Sequence, residues 1–171
     1  TMGAEIETTE RGTAPLVIHG NPKLHGIEYP MPMASAQVKS CLLLAGLYAD
    51  GETSVVEPGP SRDHTEQMLA LFGCPVKKAG SKVTVNNEGV LKAAPVTVPA
   101  DISSAAFFLV AGSIAEPGSE LMLKSVGINP TRTGVIDILR LMGADLTISP
   151  VGDQKGEPIA DILVHPAKLK G

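Results

Sequence analysis

Met142-Gly143-Ala144-Asp145-Leu146, near the end of the chain, repeats Met2-Gly3-Ala4-Glu5-Ile6 at its start. The following segments repeat too. Leu16-Val17-Ile18-His19 and Lys23-Leu24-His25-Gly26 return as Ile162-Leu163-Val164-His165 and Lys168-Leu169-Lys170-Gly171. A weaker copy, Phe72-Gly73-Cys74-Pro75, lies between them, so glycines stand at 3, 73 and 143, evenly spaced by 70 residues. Self-similarity at a fixed period sets the architecture, because each copy must adopt one supersecondary unit and bury its apolar face against neighbours. A chain that starts inside one copy and stops inside another is expected to be a segment of a longer array.

Bulk properties narrow the class. The 171 residues suffice for one ordinary domain or two small ones, and 43% hydrophobic residues suit a folded protein. Aromatic residues are only 3%, with no Trp, so the core must be aliphatic and stacking on nucleobases is disfavoured. A net charge of −4 argues against general nucleic-acid affinity but leaves room for a local cationic pocket. Cys41 and Cys74 fit neither a zinc site nor a redox pair and are expected as buried, reduced thiols. No signal peptide opens at Thr1 and no apolar run could span a bilayer, so neither membrane nor secretion is expected and the default is cytoplasmic.

The element pattern alternates. From Ser35, apolar Val38, Cys41, Leu42, Ala45 and Tyr48 recur at helical spacing until Gly51. Thr53 to Val56 is β-prone and Pro58-Gly59-Pro60 is a turn. Asp63 to Phe72 is a second helix, followed by strands around Val76 and over Lys82 to Val85, with another at Val96 to Val98. The plan then recurs: helix Ser103 to Ala115, strand Leu121 to Leu123, turn Ile128-Asn129-Pro130, helix Gly134 to Met142, strand Ala144 to Ile148, loop Val151 to Pro158 and strand Ile162 to Val164. Each unit reads β-α-β-α-β-β, and the Pro95 to Asp101 connector is the expected boundary.

Two helix starts carry candidate chemistry: Ser35-Ala36-Gln37-Val38-Lys39 and Ser61-Arg62-Asp63-His64-Thr65. A helix N-terminus offers unpaired N–H groups and a partial positive charge, Ser a hydroxyl, and Arg a planar fork matched to phosphate oxygens. The same residues suit plain capping, and Asp63 with Glu66 has capping-box-like spacing. Arg62 recurs as Arg132 in Pro130-Thr131-Arg132, which fits either anion handling or a salt bridge. Asp101, before Ser103 and Ser104, is read as an N-cap. The histidines at 19, 25, 64 and 165 show no metal-ligand spacing, and there is no P-loop, dinucleotide fingerprint or nucleophile elbow.

Taken together, Ser35-Ala36-Gln37-Val38-Lys39-Ser40, Ser61-Arg62-Asp63-His64-Thr65-Glu66, Ser103-Ser104-Ala105-Ala106-Phe107-Phe108 and Asn129-Pro130-Thr131-Arg132 resemble the 5-enolpyruvylshikimate-3-phosphate synthase family, in order and over essentially the whole chain. The resemblance implies an α/β (α+β) fold of repeated β-α-β-α-β-β units, the inside-out barrel of the enolpyruvyl transferases, here a partial array. Residues 1–99 would be part of the shikimate-phosphate-binding domain and 100–171 the start of the second domain. It implies transfer of the enolpyruvyl group of phosphoenolpyruvate to shikimate 3-phosphate, with no metal and no organic cofactor. Carried over by motif, Ser35 and Ala36 fall at contacts to the 3-phosphate and Gln37 between the two substrates. Ser61 and Arg62 fall at further phosphate contacts, and Arg at 62 is similar to the glyphosate-tolerant subset.

The departures limit what these residues should do alone. The family's amino-terminal Lys-Ser-Arg segment, its later Asp-Glu segment and its Lys-Glu-Arg cluster have no counterpart in this sequence, so the catalytic residues are unknown here and the isolated chain is expected to be inactive. Alternatives are the transferase acting on UDP-N-acetylglucosamine, which Ser61 to Glu66 and Asn129 to Arg132 fit poorly, and a non-catalytic structural or binding fragment. RNA 3′-phosphate cyclase would need a His motif and a basic face that the sequence lacks. Unpaired repeat edges could drive self-association.

Overall fold

A computed structural model describes residues 2–20, 23–152 and 156–171. The chain divides into two compact units, Thr1–Ala93 and Ala94–Gly171.

The first unit opens with an antiparallel ribbon of β1 (Glu5–Glu7) and β2 (Val17–His19), with Ile6 opposite Ile18. Then come β3 (Glu28–Pro30), α1 (Ala36–Gly46), β4 (Thr53–Val56), α2 (His64–Leu71), β5 (Lys77–Ala79) and β6 (Lys82–Val85). The sheet order is β3-β4-β6-β5; β3 runs parallel to β4 and the other pairs are antiparallel.

The second unit contains α3 (Ile102–Ser113), β7 (Leu121–Gly127), α4 (Gly134–Leu141), β8 (Asp145–Pro150) and β9 (Ile159–His165), in sheet order β7-β9-β8. Its first strand shrinks to one residue, Ala100, in a parallel bridge to Val126. That bridge matches the Pro30–Val56 pair of the first sheet. Both units therefore trace the expected β-α-β-α-β-β path.

The three repeat glycines share one conformation, with φ of 92° at Gly3, 79° at Gly73 and 89° at Gly143. At the last two, a helix ends and the chain must turn left-handed, which glycine does without a Cβ penalty. Gly73 N–H donates to Ala70 O and Cys74 N–H to Leu69 O; Gly143 and Ala144 do the same to Arg140 and Leu139. The carbonyl before each glycine also accepts from a later segment. Met2 O takes His25 N–H (3.0 Å), Phe72 O takes Lys92 N–H (2.8 Å) and Met142 O takes Lys170 N–H (2.8 Å).

The cores are aliphatic, as composition requires. Met31, Leu43, Val55, Leu69, Cys74, Val83 and Val85 fill one; Leu109, Val126, Ile136, Ile162 and Val164 centre the other. Leu43 and Gly46 of α1 correspond to Leu109 and Gly112 of α3, and all four are buried. A Cβ on Gly46 would lie 2.7 Å from Thr53 Cβ, and one on Gly112 3.0 Å from Val164 Cγ1. These glycines let each first helix lie close to its sheet.

Three expectations change. The buried stripe of α1 is Lys39, Leu43 and Gly46, whereas Val38, Cys41 and Tyr48 are exposed. The helix is apolar almost all round from Cys41 to Ala45, so periodicity could not choose its face. Of the two thiols only Cys74 is buried, and that burial pushes its pKa up. Val96 to Val98 forms no strand, since β-branched residues without a ladder partner gain nothing from extension. Part of the 151–158 loop lies outside the described residues. No helix among those described is long and apolar enough to cross a membrane.

Candidate anion-binding cleft

The first turns of α1 and α2 converge on an open cleft of about 460 Å³ lined by Ala36, Gln37, Ser40, Arg62, His64 and Thr65. Ser35 caps α1: its backbone is extended (φ −148°, ψ 109°) and its Oγ accepts from Val38 N–H at 3.3 Å. Lys39 N–H closes the first helical bond to Ser35 O. The amides of Ala36 and Gln37 have no acceptor among the described residues, as the geometry of a helix start requires. They supply two donors and the positive end of the helix dipole beside the cleft.

Arg62 is exposed and makes no ion pair or hydrogen bond among the described residues. Ser61, directly before it, donates from Oγ to Glu57 Oε1. Ser40 Oγ and Thr65 Oγ1, 2.6 Å apart, join the two helices along the cleft wall. Below them Lys39 is fully buried, its Nζ 3.1 Å from Glu57 Oε2 and 2.7 Å from Glu66 Oε1. The contact to Glu57 is a directed hydrogen bond. The one to Glu66 is an ion pair without hydrogen-bond alignment, and Glu66 Oε2 has no hydrogen-bond partner among the described residues.

The sequence-derived residues thus separate. Ala36, Gln37 and Arg62 face one cleft, Ser35 is occupied as a cap, and Ser61 is turned to Glu57. His64, Thr65 and Ser40 also line the cleft; they stood within the quoted motifs but were given no role of their own. Their signal was positional, since Ser40 lies one turn beyond Ala36 and His64 opens α2. The capping box at Asp63 does not form. With φ −112° and ψ 22° its side chain makes no cap bond; Asp63 accepts instead from Gln67, and Glu66 turns inward to Lys39.

The second unit offers an internal comparison, with α4 starting where α2 does and Pro130-Thr131-Arg132 standing for Pro60-Ser61-Arg62. There the cap of the first helix is Asp101, not a serine. Asp101 Oδ1 accepts from Ser103 N–H at 3.0 Å and from Arg132 Nη2 at 3.1 Å, while Arg132 also donates to Ser103 Oγ. Arg132 is therefore the salt bridge, and Arg62, its equivalent, is left with a serine-capped helix and an open cleft.

Comparison with known proteins identifies the family. The family model for EPSP synthase (3-phosphoshikimate 1-carboxyvinyltransferase) matches residues 1–171. A 3-phosphoshikimate 1-carboxyvinyltransferase of Methylococcus capsulatus is 59% identical over 99% of this chain and 39% of its own length, and that of Nitrosococcus oceani 61% identical over 99% and 38%. The chain thus spans about two fifths of the relatives it matches. The EPSP synthase structure from Acinetobacter baumannii superposes with a TM-score of 0.91 at 56% identity, covering 99% of this chain and 38% of that one. The enolpyruvyl transferase NikO from Streptomyces tendae shares the fold alone, with a TM-score of 0.66 at 20% identity over 97% and 40%. On the family match over every residue and on these identities, the chain belongs to the EPSP synthase family.

Proposed function

We propose that this chain carries the shikimate-3-phosphate half of the active site of a 3-phosphoshikimate 1-carboxyvinyltransferase. In that reaction the 5-hydroxyl adds to phosphoenolpyruvate, and the tetrahedral adduct eliminates phosphate to leave the enolpyruvyl ether. The 3-phosphate is received by the first turn of α1 at Ser35 and Ala36, with Ser61 and Arg62 beside it, and Gln37 reaches between the two substrates. No general acid or base is assigned within these residues. Residues 1–99 would belong to the shikimate-phosphate domain and 100–171 would open the second. Both substrates are small polar anions, in keeping with a cytoplasmic enzyme.

The observation that carries this reading is the contrast between the two arginines. Arg132 is neutralised by a carboxylate of its own unit, whereas Arg62 faces a cleft where the equivalent carboxylate is replaced by Ser35. A dianionic phosphate would take the place that Asp101 fills in the second unit.

NMR titration of the chain with shikimate 3-phosphate tests it. Saturable shifts at Ala36, Gln37 and Arg62 are expected. Arg62→Ala should weaken binding by about tenfold or more, the loss of a charge-assisted pair. A folded chain whose shifts are insensitive to Arg62→Ala would sink the reading. Turnover by these 171 residues alone is not expected, and phosphate release from both substrates is the assay for it.

A further inference from the structure

The Lys39–Glu57–Glu66 triad has no counterpart in the sister unit. The equivalent positions there are Ala105, Gly127 and Ile136, and Ala105 and Ile136 are part of that unit's apolar core. The adjoining Ser40–Thr65 contact is likewise replaced by Ala106 and Val135. The same fold therefore forms with a wholly apolar seam between its two helices. A buried Lys with two carboxylates is costly to desolvate, and apolar replacement of such groups is often neutral or stabilising. Its presence in the first unit needs another explanation than folding.

The contacts supply one. Lys39 lies one turn after the cap Ser35, Glu66 lies in the first turn of α2 one turn after Arg62, and Glu57 directly follows β4 on the segment that leads to Ser61. Glu57 accepts from Lys39 with one oxygen and from Ser61 with the other. One ammonium thus ties together the three segments whose residues meet at the cleft. We infer that the Lys39–Glu57–Glu66 triad is a positioning device, which fixes Ser61 and Arg62 against the first turn of α1 so that the cleft is shaped before its anion arrives. It rests on the anion-site reading proposed above and touches no substrate itself. Prefixed geometry matters because a displacement of about 1 Å at a binding constellation can cost orders of magnitude in function.

The decisive variant is Lys39→Ala/Glu57→Gln/Glu66→Ile, which installs the sister unit's apolar pair and keeps an acceptor for Ser61. It should keep its thermal midpoint to within a few degrees, exchange amide protons faster at 61–66 but not in β4 or β6, and bind shikimate 3-phosphate about tenfold more weakly. Glu66→Gln, which leaves Lys39 balanced by Glu57, should show a smaller loss in the same direction. Affinity and exchange equal to the parent in the folded triple variant would overturn the proposal. Should that variant fail to fold, the triad is a folding requirement, which contradicts the proposal unless Glu66→Gln folds normally and still loses affinity. Arg62→Ala separates the two claims. Loss there with full affinity in the triple variant removes the triad's role and leaves the site intact. No binding by the parent removes the site, and amide exchange at 61–66 then judges the triad alone.

Discussion

At the scale of single residues, the two arginines and the buried lysine carry most of what can be tested. Asp101→Ser should convert the second unit into a likeness of the first, freeing Arg132 while keeping a competent cap on α3. The expected outcome is a new, weak phosphate site, read as saturable shifts at Arg132 on titration with inorganic phosphate. No response would mean that an unpaired arginine at a serine-capped helix does not suffice. Arg132→Ala should lower stability by no more than about 1 kcal/mol, since its partner Asp101 is half exposed. Lys39→Ala alone should cost about 3–5 kcal/mol in urea unfolding, because it strands two largely buried carboxylates. The motif around Arg62 was legible because arginine after a serine at a helix start has a chemical meaning. The inward turn of Lys39 was not, since its partners lie 18 and 27 positions away and a lysine in a helix reads as surface.

Among elements, the glycines that seat helices on sheets make the sharpest case. Gly46→Ala places a Cβ under 3.0 Å from both Thr53 and Val85, whereas Gly112→Ala meets Val164 at 3.0 Å. The first should cost about 1–3 kcal/mol and the second less, as chemical denaturation of each variant would reveal. A second element-scale case is β7, whose pairing with β9 slips between Leu123 and Val126. Ser125 there adopts φ 53°, and its N–H donates to Asp161 Oδ1 at 2.8 Å while Lys124 Nζ lies 2.7 Å from Asp161 Oδ2. Ser125 O in turn accepts from Ala100 N–H, so the bulge receives the reduced first strand.

The Lys124 hydrogen bond, then the Ser125 amide, hold the Asp161 carboxyl below its usual value. A lowered folded-state pKa stabilises above the unfolded value and is lost as pH falls through the folded one. The second unit should therefore lose stability below about pH 4, and Asp161→Asn should flatten that dependence in thermal melts. Helix and strand identities were readable from caps, turns and β-branched runs. The bulge, the one-residue strand at Ala100 and the unpaired 96–98 segment were not, because each depends on which partner strand is in reach.

On the scale of the whole molecule, the period of 70 residues set the unit, and both units follow it. Large apolar side chains nonetheless remain in water: Tyr48 at 76% just past α1, Phe107 at 79% on α3, Ile114 at 67% at its C-cap, and Leu141 at 85% on α4. Where such side chains adjoin, they form apolar surface that association would cover. Concentration-dependent association of the isolated chain is expected in sedimentation velocity, weakened by Phe107→Lys. A single monomeric boundary at every concentration would contradict it.

The bonds to Met2, Phe72 and Met142 carbonyls use backbone atoms only. Side chains at those positions can therefore drift without loosening the clasp, while the adjoining glycines cannot. Copies of the unit can thus differ in their side chains while keeping the same backbone joinery. A saturation-mutagenesis screen for folded chain should record this as tolerance at 72 and 142 beside intolerance at 73 and 143.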